Sequence, residues 1–109
     1  MSINFSDYEF SEPILLTAWE PPYKAGIYAI LKYDSSCKPK PYKSLYFGES
    51  SNMSERGFTT HHARPCWIRN AGGEDKLYIA THLMPFSTAQ ERRAVEAKLI
   101  ADYRPVCNQ

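Results

Sequence analysis

Residues 25–33 alternate with the period of a strand: Ile27, Ala29 and Leu31 fall on one face, and Tyr28, Ile30 and Lys32 on the other. Lys43 to Glu49 predicts a second strand and Lys76 to Met84 a third, which Pro85 closes. The link from Asp34 to Tyr42 holds two serines, Pro39 and Pro41, and is longer than an ordinary hairpin loop, so it predicts an antiparallel pair with a flexible connection. Asn52 is placed to cap a helix from Met53 to about Thr60, and Pro65 to Asn70 reads as a further short helix ended by Gly72-Gly73. Thr88-Ala89-Gln90-Glu91 is a capping-box sequence opening a helix that runs to Tyr103, beyond which Pro105 prevents continuation. The expectation is an α+β domain of order β-β-α-(α)-β-α, with a three-stranded, mainly antiparallel sheet flanked by helices. Residues 1–24, rich in acids and aromatics and carrying Pro13, Pro21 and Pro22, read as an arm packing on the domain of residues 25–109.

Composition narrows the class without naming a function. At 109 residues and 43% hydrophobic, the chain suits one modest core, large enough to fold without metal or disulfide help. No basic start followed by an apolar run marks a signal peptide, and no stretch has the length of a membrane span, so a cytoplasmic protein is expected. Cys37, Cys66 and Cys107 are odd in number, widely spaced and without a C-x-x-C pair, which indicates neither a disulfide framework nor a structural zinc site. The net charge of +1 gives no overall attraction to nucleic acid. Binding therefore needs a local patch, for which Arg56, His61, His62, Arg64 and Arg69 are the candidates.

The last helix carries the sharpest chemical clue. Val95, Leu99, Tyr103, Ala89 and Ile100 form an apolar stripe, and Glu96 projects from within it. Two partners fit such a carboxylate: Arg92, one turn earlier, in an i,i+4 ion pair, or a divalent cation. Tyr28 and Tyr46 lie on adjacent predicted strands and would emerge on one sheet face if the hairpin brings them together. Gly48, just past Tyr46, leaves room for a backbone or a phosphate to approach.

Gly26-Ile27-Tyr28, Tyr46-Phe47-Gly48, Arg56 eight residues further on, and Glu96 followed by Leu99-Ile100, Arg104-Pro105 and Asn108 together resemble the GIY-YIG nuclease superfamily. The match runs in order from residue 26 to 108. The family's histidine or tyrosine one turn after the arginine falls on Thr60 here, so His61 or His62 takes that place, His61 being nearer in register.

The resemblance implies a metal-dependent nuclease acting on DNA. Glu96 would hold one Mg²⁺ or Mn²⁺, and Arg56 would clamp the phosphate. Tyr28 would serve as general base or water-orienting group, with Tyr46 as its hydrogen-bond partner and His61 as a possible proton acceptor. Asn108 would anchor the chain end. Gly48, His62, Arg64, Arg69 and Arg92 are the remaining candidates for phosphate contact. Small nucleases of this type draw specificity from extra domains or dimers, so a homodimer or a partner protein is an expected accessory. Two other readings stay open: a catalytically weak module binding nucleic acid or protein, and an RNA-directed hydrolase.

Overall fold

The computed structural model describes residues 1–109. Two long strands, β4 (Gly26–Tyr33) and β5 (Tyr42–Ser50), pair antiparallel, and β6 (Leu77–Leu83) lies antiparallel on the other side of β4. A short β3 (Ile14–Leu15) pairs with the outer edge of β6, giving the order β3-β6-β4-β5. The sheet therefore has four strands, not three. A separate antiparallel hairpin, β1 (Ile3–Phe5) and β2 (Tyr8–Phe10), precedes it. The expected N-terminal arm thus supplies three strands, because its apolar residues are placed to pair with β6 and to cover one sheet face.

The alternation read from the sequence sorts side chains onto two cores. Ile27, Ala29, Leu31 and Phe47 join Phe5, Phe10 and Leu99 on one face, roofed by α2 (Ala89–Tyr103) and the hairpin. Tyr28 and Ile30 join Leu16, Phe58 and Trp67 on the other, roofed by α1 (Arg64–Ala71). The ladder pairs Ile30 with Tyr46 and Leu31 with Ser44, so Leu45 is an extra residue in β5. This bulge changes the facing of β5 at Leu45, and from there Tyr46 and Gly48 share the face of Tyr28 while Phe47 lies on the α2 side.

Helix boundaries follow local chemistry. The capping box of α2 is complete: Thr88 Oγ1 accepts from the Glu91 amide at 3.1 Å, and Glu91 Oε1 accepts from the Thr88 amide at 2.8 Å. Gly72, at φ +88°, ends α1 in the left-handed conformation that glycine adopts without a Cβ penalty. The helix expected over 53–60 is reduced to a single 3₁₀ turn, Met53–Glu55, capped by Asn52 as foreseen. Gly57 and the β-branched pair Thr59-Thr60 disfavour propagation, and burial of Met53 and Phe58 holds the segment against the sheet instead.

The cysteine expectation is also corrected. Cys66 on α1 and Cys107 form a disulfide, with Cα atoms 5.8 Å apart. A 41-residue separation hides the pairing in the sequence; it arises because the chain after α2 returns to the edge of β5 beside α1. Cys37 is free. No helix is long and apolar enough to cross a membrane.

Candidate active site

Two aromatic hydroxyls, an imidazole and a guanidinium meet on the α1 face near the Gly26 end of β4. Tyr28 and Tyr46 lie diagonally across the β4–β5 ladder, their rings stacked with centroids 6.1 Å apart. Tyr28 is 1% exposed, while Tyr46 is only half-buried and presents more of itself to solvent. The Tyr28 ring covers Gly48, where a Cβ would collide with it, so the glycine makes room for a tyrosine and not for an incoming phosphate.

His61, 3% exposed, fixes Tyr28 from the opposite side. Its Nδ1 accepts the Ala63 amide at 3.0 Å, and its Nε2 lies 2.9 Å from the Tyr28 hydroxyl. A neutral imidazole that accepts at Nδ1 carries its proton at Nε2, so His61 donates to the Tyr28 oxygen. The proton of Tyr28 is then free to point elsewhere. Burial, with Arg56 and His62 nearby, pushes the His61 pKa down to about 4, consistent with this neutral tautomer. His61 as assigned here gives a hydrogen bond to Tyr28; it does not take its proton.

Burial raises the Tyr28 pKa well above the ordinary tyrosine value, with the neighbouring Tyr46 adding to it and Arg56 opposing both. Tyr46 is raised as well, chiefly by burial and then by the charge of Glu96, against which Arg56 and a hydrogen bond from Tyr28 act. Arg56 ends the 53–55 turn, half-buried, and is the cation common to Tyr28, Tyr46 and His61.

The carboxylates approach from the α2 side. Arg92 does not pair with Glu96. It is 5% exposed, and its Nε donates to Glu49 Oε1 at 2.8 Å while Nη1 donates to the Ser87 carbonyl at 2.8 Å. Glu49 lies on β5 and points to this face because of its register with Phe47, which places it within reach of α2. Glu96 is left half-buried without an ion-pair partner. Burial raises its pKa and the Glu49 charge adds to this, while the Glu49 backbone amide and Arg93 offset part of the rise. No group of three or more His, Cys, Asp or Glu residues is clustered in metal-binding geometry. An ion here would therefore draw on one or two carboxylates plus water and substrate oxygens, a donor set suited to Mg²⁺.

The other expected contacts are dispersed. Arg64 donates to Glu74 and to the Phe58 carbonyl, which commits it to holding α1 in place. His62 and Arg69 remain exposed on the rim below Tyr46. Asn108 pairs with the free edge of β5: Oδ1 accepts the Phe47 amide at 2.8 Å and Nδ2 donates to the Phe47 carbonyl at 2.9 Å. These two bonds tie the chain end to β5. Trp67, on α1, is fully buried. Glu49 escaped the sequence reading; its signal is an acid in an otherwise sheet-forming run, immediately after Gly48.

Comparisons of the chain with protein-family models, with curated proteins and with solved structures find no match.

Proposed function

We propose that the protein is a divalent-metal-dependent endonuclease that hydrolyses DNA phosphodiester bonds, on a fold of GIY-YIG type. Glu96 carries this reading: a half-buried carboxylate with a raised pKa and no direct ion pair, while its neighbour Glu49 already has Arg92. A divalent cation would relieve that carboxylate. Mg²⁺ or Mn²⁺ bound there supplies charge neutralisation on the phosphate and the leaving oxygen.

The chain's own groups divide the remaining work. Arg56 is positioned to pair with a non-bridging phosphate oxygen, where its fork geometry favours bidentate contact. Arg92 holds Glu49 and so keeps a second negative charge from acting unpaired on Glu96. Tyr28 activates or orients the attacking water, with His61 donating to its oxygen and thereby favouring the phenolate. The burial of Tyr28 favours a second arrangement. In it the more exposed Tyr46 touches the water, and Tyr28, itself held by His61, donates to the Tyr46 oxygen.

DNA is the proposed substrate, with specificity supplied by a homodimer or a partner protein. Preferential cleavage of RNA, or DNA binding without turnover in any divalent ion, would bring the two other readings forward. A cytoplasmic setting would keep residues 66 and 107 as thiols, because disulfides persist mainly in oxidising compartments. The decisive experiment incubates the chain with plasmid, branched and single-stranded DNA in Mg²⁺, Mn²⁺ or EDTA, beside Glu96→Gln. Divalent-dependent cleavage lost in Glu96→Gln, with an unchanged melting curve, is expected. Cleavage at the wild-type rate in that variant removes the metal-ligand assignment.

A further inference from the structure

A sizeable cavity lies away from Tyr28, at the opposite end of β5. It has a volume of about 690 Å³, within the range of ligand pockets, and is walled by the 34–41 link, the start of β5, β1 and the chain after α2. Lys38, Lys40, Lys43 and Arg104 line it, and no Asp or Glu does. The whole chain carries 13 Lys and Arg against 12 Asp and Glu, so a lining of one sign is a local concentration. None of the four cations is in an ion pair. Asp34, whose charge is felt near Lys43, is engaged by the amide and hydroxyl of Ser36. The apolar part of the wall includes Phe5 and Tyr103, edge to face at 5.4 Å, with Tyr103 42% exposed.

A second cavity adjoins the first, sharing Val106 and Gln109 with it, and extends to Tyr46. It is lined by His62 and Arg69, again without a carboxylate side chain. A path lined by no Asp or Glu side chain thus leads from Tyr46 to Lys43. The strand distance from Glu49 back to Lys43 is about 20 Å at the rise of a β-strand, so a strand held at both ends must be several nucleotides long.

We propose that the Lys38/Lys40/Lys43/Arg104 cavity binds a nucleotide unit of the substrate strand several nucleotides from the scissile phosphate. Phosphate oxygens sit among the cations, and a base lies against Tyr103. The inference rests on the nuclease reading for where the strand begins, but its binding chemistry is separable from cleavage.

The test measures fluorescence anisotropy of labelled single-stranded DNA, about 16 or about 2 nucleotides long, on a Glu96→Gln background that prevents turnover. Replacing Lys38, Lys40 and Lys43 together by Gln should weaken the longer strand at least about tenfold. It should also lower the slope of log affinity against log salt by about 0.7 for each phosphate that the three lysines neutralise. The short strand should be unaffected. Tyr103→Leu should weaken the longer strand without changing its salt slope. Unchanged affinity and slope in the triple variant, or equal losses for both lengths, overturn the proposal. So does binding of free dAMP in the cavity, if the triple variant loses that binding while still holding the longer strand normally. Cleavage by the wild-type chain in Mg²⁺ separates the two readings. Cleavage with no effect of the triple variant on binding removes the cavity and leaves the nuclease; loss of strand binding with no cleavage by the wild type removes the nuclease and leaves the cavity.

Discussion

At the residue scale, His61 shows how a single backbone amide can assign a role. The Ala63 N–H occupies Nδ1, so the proton must reside on Nε2, facing Tyr28. His61→Gln, which retains a side-chain donor, is expected to keep more cleavage activity than His61→Ala; equal and complete loss in both would return His61 to the role of proton acceptor. Stability carries the same signature. The folded His61 pKa lies near 4, below the ordinary 6.5, so the unfolded chain takes up the proton first as pH falls. The contribution of neutral His61 is full above about pH 6.5 and is lost towards pH 4, a change of at most about 3 kcal/mol. Urea melts across that window, compared with His61→Gln, should differ by this slope. A tyrosine base makes a second pH prediction. Tyr28 and Tyr46 are both raised by burial, so kcat/KM should climb about tenfold per unit between pH 7 and 9. A flat profile confines both tyrosines to orienting water. Gly48→Ala should displace the Tyr28 ring and cost about 1–3 kcal/mol by overpacking, with activity falling further than stability.

Elements differ in how far their own sequence specifies them. The α2 capping box is local and legible, and Thr88→Ala should lower stability by about 1 kcal/mol. Both termini of α2 agree with the expectation from Thr88 to Tyr103, since caps act within one turn. The 53–60 segment was misread because its helical signal, Asn52, is real but extends only one turn before Gly57 and the threonines intervene. The edge of β5 depends on a residue 61 positions away: Asn108 satisfies both polar groups of Phe47. Asn108→Ala should cost about 1–3 kcal/mol for two partly buried hydrogen bonds. Amide exchange at Phe47 should rise, and no change there would mean that the chain end contributes nothing to the strand.

At the scale of the whole molecule, two long-range ties hold the C-terminal segment, the Asn108 clamp and the Cys66–Cys107 bridge. Closing a loop of 41 residues stabilises by about 4 kcal/mol in the chain-entropy account. Reduction, or Cys107→Ser, should therefore lower the melting temperature clearly while leaving the sheet intact. An identical melt with and without reductant would show that the two sulfurs do not bridge in solution. The charge distribution belongs to this scale too. A near-neutral chain acquires a one-signed surface because the 34–41 link and the segment after Tyr103 fold to the same end of the sheet.

Period and punctuation in the sequence determined by themselves the three long strands and the last helix with its caps. These depend on neighbours within a few residues or on the two-residue repeat of a strand. The tertiary structure decided which charges meet. Arg92 turned from Glu96 to Glu49 because β5 passes beneath α2, and Ile14-Leu15 became a strand because β6 offered an unpaired edge. Partners 43, 41 and 61 residues apart leave no periodic trace. Their meeting is fixed by the packing of whole elements, which the order of residues along the chain does not display.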